Sequence, residues 1–183
     1  DGQIHCVYEG GINGKDRESD RFFEDLWKKI TDCGIHIHFY SQSDVLYCKR
    51  LEQKSEYLHY EGNVESKKLV REMTKYDCGL AIFHITDKNR NFMETGTANK
   101  VYEYVNSKLP VIVSGLKSYS DFVKKYNVGI NLDFTRDIRE QISMACQIKI
   151  SPNLLKEHNL TMKSRVSEIV DFYERVKKRE ILR

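Results

Sequence analysis

Three short segments of this 183-residue chain combine residue types that suit a phosphate or a pair of sugar hydroxyls. The first is the turn Tyr8-Glu9-Gly10-Gly11-Ile12-Asn13-Gly14, with Lys15 and Arg17 close behind. Glycines directly after a strand let the backbone come close to a phosphate. Gly10, Gly11 and Gly14 do not make the Gly-x-Gly-x-x-Gly spacing of a dinucleotide site, and a plain turn with solvated charges explains the segment as well. The second segment is Arg90-Asn91-Phe92-Met93-Glu94-Thr95-Gly96-Thr97-Ala98-Asn99-Lys100. It follows the most apolar stretch and opens into a helix, whose unpaired first N–H groups and partial positive charge attract an anion. Thr95-Gly96-Thr97 is small enough for a ligand to lie against, and Lys100 would add a full charge. Taken alone, Lys100 reads more simply as a solvated lysine, and Asn99 as a helix cap. The third is Glu103, one turn beyond Lys100. A carboxylate offers acceptors and no donor, the complement of two vicinal hydroxyls such as those of a ribose; the plain alternative is an exposed helix glutamate. His59 and His84 stand near strand ends and could reach a ligand, though a structural role is the simpler reading of each.

The elements that must position these segments follow from hydrophobic periodicity. Alternating or continuous apolar runs predict strands over 4–8, 35–40, 58–60, 79–83, 111–113 and 129–132. Helical spacing predicts helices over 20–31, 65–74, 99–107 and 118–126. The first of these carries Phe22, Phe23, Leu26, Trp27 and Ile30, with Ser19 as its cap. A polar loop is expected over 86–97, and helices alone after about residue 137. Regular strand–helix alternation with apolar strands argues an α/β fold: a Rossmann-like, three-layer α/β/α sandwich with a mainly parallel sheet of about six strands and C-terminal helices. Ligands bind such sheets at the C-terminal ends of the strands, where strand order reverses. No linker-like stretch divides the chain, so residues 1–183 are expected to form a single domain.

Composition narrows the functional classes. With 40% hydrophobic and 31% charged residues, the chain is neither disordered nor membrane-spanning in character. The net charge of +3 is small and spread along the chain, so an anionic ligand fits and no nucleic-acid partner is expected. The five cysteines Cys6, Cys33, Cys48, Cys78 and Cys146 form no Cys-x-x-Cys pair, and several sit in apolar stretches. They read as reduced, mostly buried thiols, which sets the expectation of a cytoplasmic location. No ligand spacing for zinc appears among them and the six histidines.

The stretch Ala98-Asn99-Lys100-Val101-Tyr102-Glu103-Tyr104-Val105-Asn106-Ser107-Lys108-Leu109-Pro110-Val111-Ile112-Val113-Ser114 resembles the hallmark of GT-B glycosyltransferases, above all the retaining group-1 or family-4-like enzymes. That hallmark is a Lys, a Glu-Tyr or Glu-Ala pair in a helix, and a Pro-Val-Ile strand. Lys75-Tyr76-Asp77-Cys78-Gly79-Leu80, His59-Tyr60-Glu61-Gly62-Asn63-Val64 and Val128-Gly129-Ile130 are similar to other parts of the same domain, and the resemblance covers about residues 7–132. It implies the C-terminal, nucleotide-sugar-binding domain of a two-domain enzyme, with the donor a nucleotide-diphosphate sugar. Glu103 would hold the ribose hydroxyls. Asn99 and Lys100, with the amides of Thr95, Gly96, Thr97 and Ala98, would hold the diphosphate and donor sugar, and Gly10 and Gly11 would border the diphosphate. Two positions depart from the family's pattern. Gly11 stands where an Arg is often found, so Lys15 or Arg17 must substitute; Thr95 stands where a second Glu is common, with Glu94 one residue early.

The resemblance further implies that no metal or other cofactor is needed, since helix amides and basic residues neutralise the diphosphate. It implies a chain that is part of a longer one, lacking the N-terminal acceptor-binding domain that carries the catalytic groups. Without that domain it would bind donor weakly and transfer little. A sugar-nucleotide 2-epimerase of the same fold and a non-catalytic α/β binding module are the alternatives. The last helix, over about 160–178, is expected to pack through Val166, Ile169, Val170, Phe172 and Val176. Its basic end, Arg175, Lys177, Lys178 and Arg179, suits solvent, the partner domain or peripheral contact with an anionic membrane.

Overall fold

The computed structural model describes residues 1–180, apart from the side chains of Ser66, Arg179 and Glu180. In chain order the elements are β1 (His5–Glu9), α1 (Glu24–Thr31), β2 (His36–Tyr40), α2 (Val45–Glu52), β3 (Leu58–Tyr60), α3 (Ser66–Met73), β4 (Cys78–Ala81), α4 (Arg90–Thr95), α5 (Asn99–Asn106), β5 (Val111–Val113), α6 (Lys117–Tyr126), β6 (Gly129–Asn131), α7 (Ile138–Cys146), α8 (Leu154–Glu157) and α9 (Met162–Glu180). Local chemistry fixes several ends. The Asp44 carboxylate accepts the Leu46 and Tyr47 amides at the start of α2, and Asp137 accepts Glu140 N–H at the start of α7. Asn127, at a left-handed φ of 49°, ends α6.

The strands form one sheet in the order β3-β2-β1-β4-β5-β6, and every pairing between them is parallel. The expected α/β class, strand number and parallel pairing are therefore present. On one face, Cys6, Tyr8, Ile37, Phe39, Leu80 and Ile112 join Trp27 and Ile30 of α1, Leu51 of α2 and Ile138 and Ile142 of α7 in a continuous buried cluster. Tyr8, Phe23, Trp27 and Phe39 form its aromatic centre, with Phe23 stacked on Trp27 at 5.1 Å. On the opposite face, the ring of Tyr104 from α5 lies against Gly79, where a Cβ would come within 2.3 Å of it. Gly79 thus lets α5 seat against β4.

Two departures from the sequence reading bear on the residues singled out there. The helix expected over 20–31 with Ser19 as cap begins only at Glu24. The Ser19 carbonyl instead accepts Phe22 N–H in a turn at 3.1 Å, and Phe22 and Phe23 are buried from the incoming loop. The loop expected over 86–97 contains the short helix α4, so Glu94 and Thr95 lie on a helix.

The chain divides into two compact units, Asp1–Ile150 and the remainder from Ser151. The first holds the sheet; α8 and α9 belong to the second. Burial was expected for Val166, Ile169, Val170, Phe172 and Val176, yet all are exposed, by 37–55%. Tyr173 and Met162 of the same helix are exposed as well. Among the described residues, no helix is long and apolar enough to cross a membrane.

Candidate functional site

Strand order reverses between β1 and β4, which opens a crevice at the C-terminal ends of these two strands. β1 delivers Glu9 and Gly10 to it. Gly10 has φ 130°, a conformation that side chains other than hydrogen disfavour, and donates its N–H to Tyr40 O at 3.0 Å. The Tyr8 hydroxyl donates to Gly11 O at 2.7 Å and holds the turn down. From the other side, Tyr104 pins α5 to both strands: its hydroxyl accepts Glu9 N–H at 3.2 Å and donates to Leu80 O at 3.3 Å. Lys100 and Glu103 stand on this helix beside it.

Lys100 is not the solvated lysine its sequence context suggests. It is buried, and its Nζ finds no hydrogen-bond partner among the described residues. The ammonium sits 3.8 Å from the centre of the Tyr8 ring and 5.4 Å from that of Phe83. A Cβ on Gly10 would lie 3.2 Å from it, so the lysine head reaches the glycine turn. Burial lowers its pKa to about 7, partly opposed by the charge of Glu9. Glu9 shifts the other way, pushed up to about 7 by burial, with Lys100 opposing and a hydrogen bond to Glu103 adding to the rise. Glu103 itself is half-buried. A cavity of about 440 Å³ adjoins these residues, lined by Glu9, Gly10, Gly11, Tyr40, Ser43 and Asn63 among others.

The structure thus gathers Gly10, Lys100 and Glu103 into one place, with Gly11 next to Gly10. Asn99 is the first residue of α5 rather than its cap; Ala98 holds the cap position without a side-chain hydrogen bond. The turn from Gly96 to Ala98 leads directly into that helix start, as Thr97 was expected to. Other candidates have different partners. The Glu94 carboxylate accepts the amides of Lys117 and Ser118 at the start of α6, which holds its pKa below the usual range. The Thr95 hydroxyl bonds Phe92 O at 2.9 Å. The Arg17 guanidinium stands 5.6 Å from the centre of the Phe22 ring. It is Arg21 whose guanidinium reaches the glycine turn: a Cβ on Gly11 would meet its Nη1 at 2.7 Å. Sequence reasoning missed Arg21 because it placed the residue on a helix surface, and missed Glu9 because it counted the residue as part of a turn.

The rings of His59 and His84 have other partners. His59 pairs with His36 at 2.8 Å in a histidine strip along β1 to β3, and the ring of His84 packs edge-on to Phe22. All five cysteines are free thiols; Cys6, Cys48 and Cys78 are buried, and the sulfurs of Cys6 and Cys78 are 3.2 Å apart. No group of three or more His, Cys, Asp or Glu side chains suited to a metal ion occurs among the described residues.

The sheet order and its crevice define a Rossmann-like domain of the kind that forms the C-terminal half of GT-B glycosyltransferases. The chain belongs to the family of glucosyltransferase 3-like C-terminal domains, which it matches over residues 17–158. That match takes in α5 and starts after the glycine turn. No curated protein matches the sequence. Among solved structures, AviGT4, a glycosyltransferase involved in avilamycin A biosynthesis, superposes with a TM-score of 0.59 at 13% identity, over 85% of this chain and 49% of its own. The Thermobaculum terrenum O-GlcNAc transferase K341M mutant gives 0.56 at 14% identity, over 96% and 36%. WaaG, a glycosyltransferase involved in lipopolysaccharide biosynthesis, gives 0.51 at 12%, over 80% and 39%. The chain therefore spans about half, or less, of the length of these structures.

Proposed function

We propose that this domain binds the nucleoside-diphosphate part of a sugar nucleotide in the β1–β4 crevice, as the donor half of a glycosyltransferase. The observation that carries this reading is Lys100. A buried ammonium without a hydrogen-bond partner is unfavourable unless an anion joins it. The glycine turn it touches leaves room for a diphosphate, and the amides at the start of α5 add partial positive charge. Glu103, one turn further along the same helix, would accept the ribose hydroxyls. Arg21 would take the charge-neutralising part expected of Arg17.

Because ammonium and helix amides serve the phosphates, the reading needs no metal. The free thiols favour a reducing, cytoplasmic setting. Glycosyl transfer would require a second domain to hold the acceptor in line. Calorimetric titration with UDP, GDP and ADP tests the reading. Lys100→Met and Glu103→Ala should each weaken the tightest of these by about tenfold or more, the value of a charge-assisted hydrogen bond. Chelator should leave the affinity unchanged. Full affinity in Lys100→Met would remove the reading's foundation.

A further inference from the structure

The helix α9 has no part in the reading above. It is 19 residues long, about 28 Å end to end, and every residue from Arg165 to Lys178 is exposed. At about 100° of turn per residue, its apolar side chains still share one stripe. Met162, Ile169 and Tyr173 lie within about 20° of the stripe's axis, and Val166 and Val176 within about 40°. Val170 and Phe172 mark its two edges at about 80°. In water this stripe gains nothing from packing, although packing of an apolar face supplies most of a helix's stability. The charges are sorted around it. Arg165 and Lys177 fall at about 60° on opposite sides of the axis, within the edges, and Lys163 at about 100°. Glu168 and Glu174 fall at about 120°, and Asp171 is diametrically opposite. These three acids border one open hollow together with Arg175 and Lys178, so the far face is close to neutral. Arg165 pairs with Glu168 at 2.8 Å, while Lys163 and Lys177 carry no ion pair among the described residues.

We infer that α9 lies flat on an anionic lipid surface, with its apolar stripe among the upper acyl chains and Lys163, Arg165 and Lys177 on the lipid phosphates. Among the described residues no helix is long and apolar enough to cross a membrane, so the helix rests in the interface. Docking takes the stripe out of water. The long stems of the bordering lysines and arginine run along apolar surface while their charged heads stay at the level of the headgroups. Attraction of these heads to anionic lipid adds to the apolar gain. The acids, on the far face, remain in water and away from the phosphates. Apolar matching alone would serve a protein partner equally well; the cationic border on both sides of the stripe is what selects anionic headgroups. The inference is independent of the nucleotide site, since every residue assigned to that site precedes residue 150.

Co-sedimentation of the 183-residue chain with vesicles tests this, using phosphatidylcholine alone and phosphatidylcholine mixed with phosphatidylglycerol. The chain should bind the mixed vesicles about tenfold or more tighter than the neutral ones, and added salt should erode that difference. Ile169→Ser combined with Phe172→Ser should weaken binding to the mixed vesicles by about tenfold or more. Lys163→Glu combined with Lys177→Glu should remove the preference for phosphatidylglycerol. Arg175→Glu combined with Lys178→Glu makes the same change of net charge on the far face, about one helix diameter from the lipid, where salt screens it; it should cost about threefold or less. All six side chains are exposed, so each variant should melt like the parent, which shows that it is folded. Absence of binding to the mixed vesicles at low salt would overturn the inference, as would equal binding to both kinds of vesicle. Equal losses from the two charge reversals would mean that net charge alone acts, and would overturn the assigned face. If the stripe variant abolishes self-association in light scattering but leaves vesicle binding intact, the stripe serves a second copy of the chain and the lipid assignment falls.

Discussion

At the scale of single residues, Gly10 shows how strongly the crevice depends on what is missing from a side chain. Its φ of 130° lies in territory that L-residues rarely enter, and any Cβ would press toward the Lys100 ammonium at 3.2 Å. Gly10→Ala should therefore cost about 1–3 kcal/mol of stability through backbone strain. It should also displace Lys100 and weaken nucleotide binding. Denaturant unfolding measures the first effect and calorimetry the second; a variant with wild-type stability would show that the turn is unstrained. Type and spacing left Gly10, Lys100 and Glu103 each with a plainer reading; the resemblance to GT-B glycosyltransferases is what joined them into one set. The environment of Lys100 was not visible, because the ring beneath it, Tyr8, comes from a distant strand that tertiary pairing brings alongside. Glu94 illustrates the reverse. Its type and place looked fit for a ligand, but both of its oxygens engage the start of α6, three elements on.

At the scale of elements, the strands were legible because a parallel sheet covered on both faces demands apolar runs, and few other structures do. The onset of α1 was not, since Phe22 and Phe23 share the spacing of its apolar face while belonging to the loop before it. Short α4 carries too little periodic pattern to register. Beyond the crevice, β1, β2 and β3 align four imidazoles on one face. His5 bonds His38 at 2.9 Å, His36 bonds His59 at 2.8 Å, and His38 reaches Glu61 at 2.7 Å. A bond between two imidazoles requires a neutral acceptor nitrogen, so protonating both partners breaks it. Burial, reinforced by the neighbouring imidazoles, lowers the pKa of His36 and His59 below 6.5; burial also lowers that of His38, against the pull of Glu61. The sign follows from linkage. The unfolded chain takes up protons near 6.5 while the folded strip resists them, so the strip's contribution is complete above that pH and is lost as pH falls through the folded-state values. Thermal melts should show Tm dropping from neutral to mildly acidic pH. His36→Gln combined with His59→Gln should flatten that slope; an unchanged slope would place the acid sensitivity elsewhere.

At the scale of the whole molecule, the crevice, the sheet and the continuous buried cluster all lie within the unit Asp1–Ile150. The second unit differs in character. Its long helix α9 exposes Met162, Val166, Ile169, Val170, Phe172, Tyr173 and Val176, and its last turns carry Arg175, Lys177 and Lys178; the side chain of Arg179 lies outside the described residues. Exposed apolar side chains gain little on folding, because their transfer from water is incomplete. An exposed apolar stripe of this kind favours association with other surfaces instead. A chain ending at Leu160 should therefore keep its fold, melt within a few degrees of the parent, and bind nucleoside diphosphate with an affinity within about twofold, since each residue assigned to the diphosphate or ribose precedes residue 150. The same truncation should lower the tendency to self-associate, read by light scattering. A large loss of nucleotide affinity in a chain that still melts cooperatively would mean that α9 contributes to the site, and the assignment of binding to the sheet's crevice alone would have to be given up.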